Sequence, residues 1–295
     1  MDQFNWKEYM QRNEELTGYI PVALSHERWN YLGVHHMAQL TKPNGRRRYG
    51  LAYPYGTGYD TMIFPSVTTE TEGQLRNFGM EMWKDGWIRR GLDKYEGQVL
   101  NHDMIQEILF SHTGEAQRSA DTGTQVHNYI DKLLKGEDVN DIPDQLEPAI
   151  RGFLKWRRKY IDWKYLGSEL GVFSIKQSVA GTIDALFETD DGYMIVDWKT
   201  SSGIYESHAI QVGVYAQAFK HMTKKRKRVG AMVVRFDNSY PSVGAVKDRT
   251  KPKVFTDRVD TVRLTQGECE IYAGEIPDLR SLKSRHARKL NKETV

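Results

Sequence analysis

Hydrophobic and polar positions alternate most clearly between Val179 and Thr200, in the run V-A-G-T-I-D-A-L-F-E-T-D-D-G-Y-M-I-V-D-W-K-T. Ile183, Phe187, Ile195 and Val196 are strand formers, and Asp190-Asp191-Gly192 is a turn signal between two runs. The pattern predicts a β-hairpin. In its second strand Ile195, Asp197 and Lys199 are spaced by two, so they project from one face. A two-residue turn at Asp191-Gly192 places position 184 opposite 199; a four-residue loop places it opposite 197. Either even loop puts Asp184 on the face of Asp197 and Lys199, whereas an odd loop without a bulge separates them.

Helical spacing appears on both sides of this hairpin. A helix is predicted over about 70–92, with Leu75, Phe78, Met82 and Trp83 on one stripe and Ser66, Thr68 and Thr69 before it as cap residues. Asp121 to Leu134 reads as a capped helix whose core face is Val126, Ile130, Leu133 and Leu134, with His127 beside that face near the N-terminus. A polar linker from Gly136 to Pro148 leads into a helix over about 145–163 carrying Trp156, Arg157, Arg158, Lys159 and Trp163. Glu169 begins a strand. Ile204 to Met222 is helical, with Val212, Ala216 and Phe219 packing and Gln211 and Tyr215 one turn apart. Ala231 to Phe236 is another strand. The class is α/β: a central mixed β-sheet holding the 174–200 hairpin and the 229–236 strand, flanked by the 122–135 and 204–222 helices. Residues 1–63, rich in aromatics, His and Gly, form an N-terminal extension whose Asn44-Gly45 turn suggests a β-hairpin with Arg46, Arg47 and Arg48 on its rim.

Composition narrows the picture. The chain has 295 residues, 39% hydrophobic and 27% charged, as expected of a globular protein, and no run reaches the roughly 20 apolar residues of a membrane span. The start, M-D-Q-F-N-W-K-E-Y, has neither an apolar signal core nor the Arg/Ser-rich character of a transit peptide, which reads as cytoplasmic. A single cysteine, Cys269, excludes an intramolecular disulfide, a thiolate zinc site and a cysteine-ligated iron–sulfur cluster. The net charge is only +3, so polyanion binding must rest on local basic patches. There is no G-x-x-x-x-G-K-[ST] loop and therefore no built-in motor.

Two carboxylates and an ammonium on one sheet face make a site for a hard cation such as Mg²⁺ or Mn²⁺. Such a cation polarises a phosphoryl oxygen and acidifies water, and a nearby lysine, whose pKa falls readily on desolvation, positions or deprotonates that water. His35-His36 has no partner ligands at metal spacing and reads as a non-site.

Gly181-Thr-Ile-Asp184 followed by Asp197-Trp-Lys199-Thr200 resembles motifs II and III of the PD-(D/E)xK nucleases, and most of all the RecB-type exonuclease branch that includes phage exonucleases and the mitochondrial genome-maintenance exonuclease. Gly123-Thr-x-x-His127 is similar to that branch's motif I, P-S-V-T-T to its entry segment, Glu169 to the acid before its hairpin, and Gln211-x-x-x-Tyr215 to its Q-x-x-x-Y. The likeness runs from about residue 64 to about 235; the first 60 residues match nothing. Ile183 stands where the motif has Pro, and Asp197 where many members have Glu.

The resemblance implies a restriction-endonuclease-like core over 64–295 with a basic C-terminal tail, and Mg²⁺- or Mn²⁺-dependent exonuclease activity on DNA in recombination, repair or degradation, in a host cytoplasm if phage-encoded. It implies metal ligation by His127, Asp184 and Asp197, with the Trp198 carbonyl as a further candidate ligand, and Lys199 positioning water, with Glu169, Gln211 and Tyr215 also in the site. A single-strand-binding or annealing protein is the protein partner it suggests. Ser66 and Thr68 at a helix start, and the run Lys224, Lys225, Arg226, Lys227 and Arg228, are candidate DNA-backbone contacts. So are the interleaved aromatics and bases of 156–163, the basic segment from Arg280 to Lys292 and the arginine rim at 46–48. Other readings remain open: a structure-specific endonuclease or junction resolvase on the same fold, a nucleic-acid-binding protein without catalysis, and a hydrolase of small phosphoesters.

Overall fold

The computed structural model describes residues 4–24, 36–43, 46–55, 57–71, 78–223, 227–237 and 258–274. His35, the Asn44-Gly45 turn, Leu75, Lys224, Lys225, Arg226 and the basic segment from Arg280 onward lie outside the described residues.

Two sheets carry the fold. The first is an antiparallel meander of β1 (Ile20–Leu24), β2 (His36–Thr41), β3 (Arg47–Tyr55) and β4 (Gly58–Pro65), backed by the short helix α1 (Trp6–Gln11). Trp6, Met10, Leu16, Leu40 and Ala52 pack beneath it. His36 uses its ring nitrogen to accept from the Phe4 backbone N–H at 3.3 Å, a structural role. The second sheet has the order β5 (Lys164–Ser174), β6 (Val179–Thr189), β7 (Gly192–Lys199), β8 (Arg228–Phe236), β9 (Val259–Leu264). Its pairings are antiparallel except β7 with β8, so the sheet is mixed, as expected.

Strand β7 is buried from Gly192 to Trp198, which explains its near-continuous apolar run: both faces are covered. Leu186, Tyr193 and Ile195 pack with Val212, Ala216 and Phe219 of α6 (Glu206–Thr223). Phe187, Val196 and Trp198 face the other way, toward Val126 and Ile130 of α4 (His102–Lys135) and Phe153 and Trp156 of α5 (Glu147–Lys159). Full burial of each such large side chain contributes roughly 1.5–3 kcal/mol. The first sheet joins the α6-side core through Met37, Tyr49, Leu51 and Phe64, and Ser66 bridges to Ala180.

Several local expectations are corrected. The hairpin turn is Asp190-Asp191, not Asp191-Gly192, because Thr189 pairs with Gly192. Gly192 is needed one step later, at φ 145°, where a Cβ would lie 2.2 Å from the Arg228 carbonyl oxygen of β8. The loop still has an even number of residues, so Asp184 stays on the face of Asp197 and Lys199. The helix predicted from Asp121 starts at His102, capped by Asn101, whose side chain accepts from Met104 N at 2.9 Å. His127 is therefore deep in a 34-residue helix rather than near an N-terminus. The D-T-G-T run does not interrupt that helix because Thr122 and Thr124 donate back to the carbonyls of Arg118 and Ala120 at 2.8 and 3.0 Å. The helix expected over 70–92 is represented by α2 (Val67–Thr71) and α3 (Phe78–Lys94). No helix among the described residues is long and apolar enough to cross a membrane.

Candidate active site

Strand periodicity assembles the site. Ala185 pairs with Val196, so continuing the register sets Asp184 across from Asp197. On the other side Ser168 pairs with Ala185 and Leu170 with Ile183, which sets Glu169 opposite Asp184. Three acids thus stand in a row across β5, β6 and β7. Glu169 interrupts its own strand at φ 51°, a left-handed conformation that a non-glycine residue adopts at a cost of order 1–3 kcal/mol.

Helix α4 brings His127 to the same place. Its Nδ1 is 3.5 Å from Asp184 Oδ2, and its Nε2 is 2.9 Å from the Trp198 carbonyl oxygen. Asp184 Oδ2 also accepts from the Trp198 N–H at 2.8 Å, which holds the carboxylate in position. One ligating atom each from His127, Glu169 and Asp184 lies within 4.8 Å of the others. Asp197 stands beside this cluster. Its Oδ2 is buried and forms a close ion pair with Lys199 Nζ at 2.6 Å. One ammonium does not use all the lone pairs of a carboxylate, so the group can also face a cation. The donor set, carboxylate oxygens with one imidazole and no thiolate, suits a hard divalent metal. Cys269 is elsewhere in the core, and burial pushes its thiol up to about 12, so it is inert.

The charges are strongly perturbed. Burial and then the Asp184 carboxylate push Glu169 up to about 7, although the residue as a whole still reaches solvent. Burial, partly offset by Lys199, raises Asp197. Burial works to lower the Lys199 ammonium, but the carboxylates of Asp197 and Asp184 outweigh it and leave Lys199 raised. This corrects the expectation of a lysine primed by desolvation: without a cation Lys199 is a fixed ammonium. Neutralising the carboxylates removes what raises it, and burial and the Arg47 charge then both act to lower it. Burial, then the nearby Lys199 charge, lowers His208 of α6 to about 4, which keeps that imidazole neutral.

These groups line a cleft of about 710 Å³. Gln211 and Tyr215 of α6 form part of it, Gln211 Nε2 donating to the Tyr215 hydroxyl at 3.1 Å. The glycine of G-T-I-D has a physical reason: a Cβ on Gly181 would lie 2.3 Å from Cε1 of Tyr215. The motif glycine and the helix tyrosine are two halves of one close contact.

The family model of the PD-(D/E)XK nuclease superfamily matches residues 100–289. The chain belongs to the PD-(D/E)XK nuclease superfamily. No curated protein matches the chain. Among solved structures, the crystal structure of SSO0001 is similar over 67% of this chain and 87% of its own, at 12% identity and a TM-score of 0.27, a likeness that carries no argument. Superfamily members are nucleases that use divalent metal ions, and the cluster at His127, Glu169 and Asp184 fits that use.

Of the remaining candidate residues of this nuclease-family chain, only Thr68 and Arg47 among the described residues lie in the cleft. Ser66 is only 1% exposed, and its hydroxyl accepts from the Thr68 N–H at 3.2 Å, so it caps α2 and presents nothing to a ligand. Thr68 does line the cleft. Lys227 is exposed and paired with Glu188 at 2.7 Å, and Arg228 pairs in register with Gly192. Both sit at the start of β8, beside the start of β7, and at about 3.3 Å per residue Asp197 is some 16 Å further along β7. In α5, Trp156 is core, and Arg157 donates to the Tyr160 and Trp163 carbonyls, so neither is available for base stacking. The structure adds cleft residues beyond the family motifs: Gln39, Arg47 and Tyr49 of the first sheet, and Ser119, Thr124 and Asn128 of α4. Thr124 and Ser119 could have been found by stepping back three residues, and twice four residues, from His127; Asn128, its direct neighbour, could not. Gln39 and Tyr49 carried no local signal.

Proposed function

We propose that this protein is a Mg²⁺- or Mn²⁺-dependent DNA exonuclease of the RecB-type branch, acting in recombination, repair or degradation of DNA. The observation that carries the metal-dependent reading is the convergence of His127, Glu169 and Asp184 on one point, with the Asp197–Lys199 pair beside it in an open cleft. The branch assignment rests on the motif resemblance, with G-T-x-x-H at Gly123–His127 and Q-x-x-x-Y at Gln211–Tyr215.

His127, Asp184, Asp197 and Glu169 would hold the cation. When bound, it would supply Lewis-acid polarisation of a phosphoryl oxygen and an acidified water. The protein's own groups do the rest. The Trp198 N–H keeps the Asp184 carboxylate turned into the cleft. Lys199 donates hydrogen bonds to orient water and stabilises negative charge that develops on the phosphate. Its side chain is only 19% exposed, so that ammonium acts in a low-dielectric setting. Tyr215, whose hydroxyl burial keeps protonated, is a neutral donor on the α6 wall.

The deciding assay compares end-labelled linear single- and double-stranded DNA with covalently closed circles, in Mg²⁺, Mn²⁺ or EDTA. Mononucleotide or short-oligonucleotide release from linear ends, with closed circles intact, is the expected result. Cleavage of closed circles would replace the exonuclease reading with an endonuclease one. Undiminished hydrolysis in EDTA would end the metal-dependent reading.

A further inference from the structure

The first sheet lies outside the motif resemblance, yet it forms one wall of the cleft. Strand periodicity explains how. Arg47 and Tyr49 are two apart in β3 and share a face; Thr182 and Asp184 are two apart in β6 and share a face. Tyr49 is 2% exposed, and its hydroxyl lies 3.3 Å from Thr182 Oγ1 and 3.3 Å from Gln39 Oε1. That contact pins β3 beside the acid-bearing strand, and the next residue on the pinned face is Arg47. Its charge acts on Glu169, Tyr49 and Lys199, and it lines the same cleft as Asp184 and Asp197.

The guanidinium is also uncommitted. Its neighbour Arg48, on the opposite face of the strand, reaches Glu15 at 3.5 Å. Arg47 is exposed and has no hydrogen-bond or ion-pair partner among the described residues, despite the acids nearby. An arginine held at a cleft mouth without a carboxylate partner contributes little to the fold. Its planar fork matches two oxygens of a phosphate.

We infer that Arg47 binds a phosphate of the nucleic-acid strand adjacent to the one being hydrolysed, so the N-terminal sheet is part of the substrate site rather than an appendage. The inference rests on the nuclease reading above. The strand would pass between the Arg47 edge of β3 and the α4 face bearing Thr124 and Asn128, with its reacting phosphate over the acids.

The test uses the full chain. Wild type, Arg47→Ala and Arg47→Lys are titrated into a fluorescein-labelled single-stranded oligonucleotide in Ca²⁺ at several salt concentrations. Loss of one charge-assisted contact predicts roughly 10- to 100-fold weaker binding for Arg47→Ala, and a salt-dependence slope lower by about 0.7. Arg47→Lys should recover part of the affinity, because the charge returns without the fork. Mn²⁺ affinity without DNA and the thermal midpoint should not fall, which separates substrate contact from a structural role. Parallel titrations with 5′-phosphate and 5′-hydroxyl oligonucleotides assign the source. Equal losses mean an internal phosphodiester, and a loss confined to the phosphorylated strand means a terminal phosphate. Wild-type affinity and slope in Arg47→Ala, with wild-type protein that cleaves DNA, would overturn this inference and leave the nuclease reading standing. Wild-type protein that neither binds nor cleaves DNA with any divalent metal would overturn both.

Discussion

Lys199→Ala separates the fold from the chemistry, and its magnitude can be worked from the burial of one carboxylate. Asp197 has a side chain only 3% exposed, and Lys199 Nζ is its counter-charge at 2.6 Å. Removing one partner of a buried pair costs about 3–5 kcal/mol. The carboxyl has one escape, which is to take up a proton, and this sets a ceiling. From an ordinary Asp value of 3.8, neutralisation at pH 8 costs about 6 kcal/mol, and at pH 5.5 about 2 kcal/mol. The variant should therefore lose about 3–5 kcal/mol at pH 8 and no more than about 2 kcal/mol at pH 5.5. The sign agrees with linkage: a carboxyl raised in the folded state binds a proton that the unfolded chain has released, so stability falls as pH rises above the ordinary value. Urea unfolding in EDTA at the two pH values measures this. Mn²⁺ affinity should hold or rise, since a competing cation is gone. Turnover should fall roughly 10²–10⁴-fold, as for a group acting on the chemical step. Equal urea midpoints for variant and wild type at pH 8, or a larger loss at pH 5.5 than at pH 8, would refute the buried-pair reasoning. Wild-type turnover would refute the role of Lys199.

Glu169, pushed up to about 7 from 4.5, holds a proton in the metal-free fold between those values, so its contribution to stability is lost as pH rises through about 7. A cation must displace that proton, so Mn²⁺ affinity should climb with pH through the same window, and Glu169→Gln should flatten the climb in calorimetric titrations at pH 6 and 8. An unchanged slope in the variant would show that the carboxyl does not meet the cation. His208, lowered to about 4, resists protonation in the fold, so stability should fall as pH drops from 6.5 toward 4, and His208→Gln should remove that component of acid unfolding. Gly181→Ala should cost about 1–3 kcal/mol by driving a methyl into the Tyr215 ring, with Tyr215→Leu in the same chain restoring part of the thermal midpoint; an unaltered midpoint in the single variant would count against the contact. Activity should vanish in EDTA, return with Mg²⁺ or Mn²⁺, and not return with Ca²⁺, whose looser coordination misplaces water.

The chemistry on β6 and β7 was readable without coordinates, because side chains alternate with a period of two. Once the loop was even, Asp184, Asp197 and Lys199 had to share a face, and the actual turn at Asp190-Asp191 changed which residues pair without changing that parity. The helical face of Gln211 and Tyr215 was legible for the same reason, at a period of 3.6. Cap chemistry misled where two signals competed. Asp121-Thr122 looks like a helix start, but hydroxyls that bond back to their own helix remove the conflict, and the start lies at Asn101. Similarly, Trp156 and Arg157 have the composition of a nucleic-acid surface; only packing against Phe153, Phe187 and Trp198 assigns Trp156 to the core, and only the Tyr160 and Trp163 carbonyls engage the half-buried Arg157. The charge state of Lys199 also escaped a local reading, since it depends on whether burial or the summed field of two carboxylates is larger. Arg47 and Tyr49 lie more than 130 positions from the strand they meet. No periodicity links residues that far apart. Their place at the cleft follows from one long-range contact, Tyr49 on Thr182, made when two separately patterned sheets bury their apolar faces in a common core.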